Sequence, residues 1–248
     1  MIESFEAIWD AALFAAALIA VVSGVIHGYT GFGAALFMVP LFALLFGPVV
    51  AVALSSIIGL VGSAQLYPLA ARNAHWRELI PVSLAIVVCA PLGTYLLFSL
   101  DPEVIRRAMG ALVFLAALIL MSGWVYKGPR GVIASAVAGG LAGAISGAAG
   151  VGGPPLALYF LSAPAQPTVQ RANIVISVAV VIVVVLVALF VAGGIADTTI
   201  QRGLILIPVY LLGTWSGSRL FAIAPEEYFK RVALWLLLAT GVGIVLLG

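Results

Sequence analysis

Four glycines, Gly24, Gly28, Gly31 and Gly33, recur with the same spacing as Gly143, Gly147, Gly150 and Gly152. Each set interrupts a stretch otherwise apolar enough to lie in a bilayer. The same register superposes Pro48 on Pro167 and Ala53 on Ala172. A hydrophobic unit that is duplicated and broken at the same place in each copy is the pattern of a membrane transporter built from two repeats, whose unwound segments meet at a substrate site. The two breaks are therefore where function is sought first.

Composition narrows the class further. The chain is 64% hydrophobic and 8% charged, whereas about a quarter of the residues of a soluble domain carry charge. That balance predicts an all-α polytopic membrane protein forming a single integral domain over residues 1–248, with repeat 1 at about 8–126 and repeat 2 at about 131–247. It leaves no sequence for a soluble domain or a nucleic-acid face, so the lipid bilayer is the expected surrounding partner. Glu3, Glu6 and Asp10 precede the first apolar run without a Lys or Arg, the reverse of a signal peptide, so that run is expected to stay in the mature protein. Cys89 is the single cysteine; it has no metal-ligand companion and reads as a small core residue. Neither a metal nor a cofactor is expected.

Apolar runs between charges give five segments per half: about 8–26, 34–46, 49–71, 79–100 and 108–126, then 131–147, 154–162, 168–193, 203–221 and 232–247. The second of each half is too short to cross a roughly 30 Å hydrocarbon core at about 1.5 Å per residue. It reads as a half-helix, a re-entrant piece or a tilted span. Whichever holds, each half keeps odd parity, which places the copies upside down relative to each other. With the amino terminus outside, eight of the 11 Lys and Arg fall on the cytoplasmic side and Arg106, Arg107 and Arg202 fall outside. If only the first segment of each pair crossed, the division would be six to five, so the positive-inside rule favours odd parity. Trp76 and Trp124 suit an aromatic belt at the inner interface.

Bare backbone at membrane depth is tolerated only where protein or a cavity covers it. The loops Gly28 to Gly33 and Gly147 to Gly153 are thus expected to face inward, each leading into a short helix whose free N–H groups and positive dipole end point back at the break. Such a site favours anions. Glycine there also permits positive φ and close ligand approach, although small residues four apart equally let membrane helices pack closely, the favoured reading for Gly24 and Gly143. Pro154 and Pro155 open the second short segment and remove donors, where Ala34 and Ala35 open the first and keep theirs. The first loop also carries His27, Tyr29 and Thr30. His27 is a candidate for proton coupling, against the commoner role of a packing residue.

Arg171 is the only charge between Arg130 and Asp197, placed either as an interfacial anchor or as the basic wall of a substrate path. Asn173, and Ser55 and Ser56 in the first half, add groups able to reach an oxyanion. The expected substrate site is therefore Gly28, Tyr29, Thr30, Gly31, Gly33, Ser55, Ser56, Gly147, Gly150, Gly152, Gly153, Arg171 and Asn173. No Asp or Glu lies between Asp10 and Glu78, between Glu103 and Asp197, or between Asp197 and Glu226. A carboxylate for proton or sodium coupling is missing from the apolar segments. An anion leaving a negative-inside cell gains about 2.3 kcal/mol per charge per 100 mV, enough for export driven by potential alone.

The segments Gly28-Tyr-Thr-Gly31-Phe-Gly33 followed by Pro40, and Gly147-Ala-Ala-Gly150-Val-Gly152-Gly153-Pro154-Pro155 followed by Gln170-Arg171-Ala172, resemble the TauE/SafE sulfite exporter family of the 4-toluene sulfonate uptake permease superfamily. The likeness covers nearly the whole chain. It implies a bacterial inner-membrane permease, not an enzyme, moving sulfite, sulfonates such as sulfoacetate or related small anions, usually outward. Ala34 and Ala35 replace part of the family's glycine cluster, and Asn173 stands where a small hydroxyl residue often follows Arg-Ala; both leave the cargo open. A homo-oligomer is compatible with this reading. The competing class is a membrane assembly or anchoring subunit whose glycines serve packing alone.

Overall fold

The computed structural model describes residues 11–30, 33–124, 126–223, 235 and 237–244. Among the described residues every regular element is a helix, with no strand. In chain order the helices are α1 (Ala11–Thr30), α2 (Ala34–Phe46), α3 (Pro48–Asn73), α4 (Trp76–Ser99), α5 (Pro102–Met121), α6 (Val132–Ala149), α7 (Gly153–Leu161), α8 (Pro167–Val191) and α9 (Asp197–Ile223). Residues 237–244 are also helical.

Local chemistry sets these bounds. Pro48, Pro102 and Pro167 each stand in a first turn, where the missing N–H has no intrahelical partner to lose and the fixed φ suits a helix start. Asp101 caps α5 by accepting the Glu103 N–H at 2.8 Å. At the two breaks the backbone turns through left-handed glycines, Gly33 at φ 91° and Gly150 at φ 69°, a region costly for any residue with a Cβ.

Helices α1, α3, α4, α5, α6 and α8 are long and apolar enough to cross a membrane. The short elements come out as expected, 13 residues in α2 and nine in α7, the latter only about 13 Å long at 1.5 Å per residue. Helix α9, at 27 residues, falls outside the apolar set, with Asp197, Gln201 and Arg202 at one end and Ser216, Ser218 and Arg219 towards the other.

Two helix pairs make the most extensive contacts, α4 with α6 and α1 with α9. Both are closed by glycine. A Cβ on Gly24 or Gly28 would run into the Tyr210 or Thr214 carbonyl of α9, and one on Gly213 or Gly217 into the Val21 or Val25 carbonyl of α1. On the other side, Gly139 and Gly147 of α6 meet the carbonyls of Val82 and Ala90 of α4, and Gly93 returns the contact to Ala144. Backbones this close gain dispersion contact without a side chain between them, the device membrane helices use where the hydrophobic effect gives no drive. Helices α3 and α8 pack on each other between these pairs, and of the glycine-closed pairs each contacts chiefly a different one, α3 touching α9 and α8 touching α4.

The breaks are shorter than the sequence suggested. Helix α1 continues through Thr30 and α6 through Ala149, so Gly28 and Gly147 are helical rather than looped. The reason is their packing: each is held in a helix by the backbone of the neighbour across it. Helix α2 starts at Ala34 behind Gly33 and α7 at Gly153 behind Gly152. Ala35 and Leu36, rather than Ala34 and Ala35, are therefore the positional counterparts of Pro154 and Pro155.

Candidate functional site

Helix α2 begins with four residues, Gly33, Ala34, Ala35 and Leu36, whose N–H groups precede the first intrahelical bond. No side chain caps them. All four border an internal cavity of about 70 Å³. From the second break, Gly150, Gly152 and Gly153 border the same cavity. Of the four corresponding donors of α7, Pro154 and Pro155 have no N–H, and Gly152 donates to Ser146 Oγ at 3.2 Å, which leaves Gly153. The two helix starts thus face one space with unequal donor sets.

Side chains complete the polar part. His27 of α1, Ser55 and Ser56 of α3, Ser146 of α6 and Tyr210 of α9 all border the cavity. His27 is 3% exposed, and its Nε2 has no hydrogen-bond partner among the described residues. Its ring centroid lies 6.1 Å from that of Tyr210. Ser55 Oγ donates to the Val52 carbonyl at 3.1 Å, so its lone pairs are what it offers the cavity. Ser146 Oγ, already an acceptor, keeps its own hydrogen to donate. The opposite wall is aliphatic: Val178, Val181, Ile182 and Val185 of α8. Among the described residues no Asp, Glu, Lys or Arg borders the space.

The structure brings together His27, Gly33, Ser55, Ser56, Gly150, Gly152 and Gly153, and leaves Gly28, Tyr29, Gly147, Arg171 and Asn173 outside the wall. Gly28 and Gly147 sit in glycine-closed helix contacts. Tyr29 is buried but does not border the cavity. Thr30 ends α1, and Gly31 lies outside the described residues. Asn173 faces away: its Oδ1 accepts the His75 N–H at 2.8 Å, tying α8 to the turn before α4.

Arg171 is part-buried on α8, and its Nη2 donates to the Gly28 carbonyl at 2.9 Å. That carbonyl belongs to the last turn of α1, whose C=O groups have no intrahelical donor, and a cation is favourable there. The guanidinium thus ties the end of α1, next to the first break, to the opposite half of the chain.

Ser146 and Tyr210 were not anticipated. Ser146 could have been found, since the duplication places it opposite His27, 119 residues away. Tyr210 had no such signal: it lies in α9 far from either motif, and it reaches the cavity because α9 packs on α1 through Gly24 and because Gly62 of α3 leaves room for its ring.

Among known proteins, the family model described as Sulfite exporter TauE/SafE matches residues 16–244. No curated protein and no solved structure matches the chain.

Proposed function

Since the chain belongs to the TauE/SafE sulfite exporter family, we propose that it is a permease for small sulfur-containing anions, sulfite or short sulfonates, and that the cavity between α2 and α7 is its binding site. The observation that carries this reading is the convergence of two helix N-termini on one buried space with an uncapped set of N–H donors. Backbone donors and a positive dipole end are what a small oxyanion requires. The size agrees: a water needs about 10–15 Å³ measured in this way, so about 70 Å³ accommodates several waters or an anion of a few heavy atoms.

The two halves act in this proposal as inverted repeats in a bacterial inner membrane, with the amino terminus outside. Reciprocity of packing supports it: the first helix of each half pairs with the fourth of the other, α1 with α9 and α6 with α4. Transport is outward and driven by membrane potential, a reading supported by the absence of acidic residues from the cavity wall among the described residues. Proton coupling through His27 is the second reading, favoured by its buried Nε2 without a partner.

Purified protein in liposomes tests the proposal. Sulfite or a small sulfonate should run down its gradient, and Gly150→Leu should stop it, because Gly150 has φ 69° and a Cβ there would lie 3.0 Å from Val39 Cγ1. No flux of any small sulfur anion would remove the substrate class. Unimpaired flux in Gly150→Leu would remove the site. A non-transporting assembly subunit would instead co-purify with a fixed partner and conduct nothing.

A further inference from the structure

We infer that the species the cavity accepts is a monoanion: bisulfite or a simple alkanesulfonate rather than sulfite dianion or sulfate. The inference rests on the permease reading above and concerns the charge of its cargo. Two helix N-termini face the space, α2 with four free N–H groups and α7 with one, and each contributes at most about half an elementary positive charge. Together they match at most one negative charge.

Among the described residues nothing else at the wall supplies a second. The bordering titratable groups are His27 from α1 and Tyr210 from α9; α2, α3, α6, α7 and α8 contribute none. Arg171 on α8 does not border the cavity and is hydrogen-bonded to the Gly28 carbonyl. The facing wall of Val178, Val181, Ile182 and Val185 offers a dianion no hydrogen bonds. The cost of desolvating an ion rises with the square of its charge, so a second charge without a fixed partner is penalised disproportionately.

A protonated or alkylated anion suits the remaining chemistry. The proton of bisulfite needs an acceptor, which Ser55 Oγ, its hydrogen already directed to the Val52 carbonyl, and the partnerless His27 Nε2 can supply. The methyl group of an alkanesulfonate fits the aliphatic side. Sulfate at neutral pH offers neither a proton nor an apolar end.

The test is flux in proteoliposomes, above that of protein-free vesicles, for methanesulfonate, sulfate and sulfite over the pH range in which bisulfite gives way to sulfite. Methanesulfonate keeps one charge throughout, so any pH trend in its flux reports the protein's own groups and serves as the correction. Methanesulfonate should exceed sulfate by about tenfold or more, the ratio expected if even part of the second charge's desolvation is uncompensated. Corrected sulfite flux should rise as pH falls, in step with bisulfite, carrying one charge per sulfur. Sulfate moving as fast as methanesulfonate, or two charges carried per sulfite, would overturn the inference and leave the permease intact. If no anion moves, the permease reading falls and the inference with it.

Discussion

The two breaks share a frame and differ in chemistry. Each follows a helix closed by glycines onto a partner from the other half, has a left-handed glycine among its described residues, and opens a short helix. Yet the first presents four uncapped backbone donors with His27, Ser55 and Ser56 beside them, whereas the second has two prolines, a donor engaged by Ser146, and the aliphatic face of α8 behind it. Duplication supplies two equivalent places where a helix N-terminus can meet a buried space. In the proposed site, substitution then makes one the binding pole and the other a wall. A symmetric site would have to satisfy two sets of donors with one small anion, and donors left unmatched in a buried space are costly.

If the frame is equivalent on both sides, equivalent damage should cost the same. Gly28→Leu and Gly147→Leu each drive a side chain into a backbone carbonyl that cannot rotate away, that of Thr214 or Ala90. Overpacking a core costs about 1–3 kcal/mol or more, out of a total stability of only about 5–15 kcal/mol, and backbone obstruction belongs at the upper end. Both variants should lose most of their monodisperse protein on size-exclusion chromatography, while Gly243→Leu, with nothing within 4 Å of its Cβ among the described residues, behaves as the parent. One variant folding normally would show that the frames are not alike.

The chemical difference is probed by exchanging donors. Ala35→Pro gives α2 the residue that α7 has at the same place, removing one N–H from a first turn that tolerates proline. A hydrogen bond to a charged group is worth about 1.5–3 kcal/mol, so anion affinity should fall by roughly ten- to a hundredfold. Pro154→Ala, the reverse change, should leave affinity within about threefold, well under the 1.4 kcal/mol that a tenfold change represents. Equal effects from the two would erase the asymmetry.

Arg171→Gln comes next. It removes a charge-assisted bond to the Gly28 carbonyl, worth about 1.5–3 kcal/mol, and should lower both the melting midpoint and the flux, with Arg171→Lys restoring part of each. Because Arg171 does not border the cavity, anion affinity measured by titration should change less than flux. An affinity loss as large as that of Ala35→Pro would place the guanidinium on the substrate.

Much of this frame was legible in the sequence because it depends on residue types with few substitutes. Glycine spacing located both breaks, and the apolar runs gave the helices and the short lengths of α2 and α7. What could not be read was the direction in which each residue points. Gly28 and Gly147 belonged to the right motif but face a neighbouring helix, and Asn173 belonged to the right helix but turns to His75. Helical position fixes a face only once the partner helix is known, and α9, which closes on α1 and brings in Tyr210, comes from the far end of the chain. The last apolar segment, expected at 232–247, is described only in part, as the helical stretch 237–244.

The smallest expected effect bears most directly on how the second break works. Ser146 accepts the Gly152 N–H at 3.2 Å, so Ser146→Ala removes one neutral hydrogen bond, worth about 1 kcal/mol. For a chain of this size that corresponds to a fall in melting midpoint of roughly 2–4 °C. The same change releases an N–H into the cavity, on the side where donors are few. If the second break serves as a wall, affinity should stay within about threefold of the parent, again under the 1.4 kcal/mol of a tenfold change. A loss matching that of Ala35→Pro would mean that Ser146 itself holds the anion through its free hydroxyl hydrogen. The two breaks would then share the binding that is assigned above to the first.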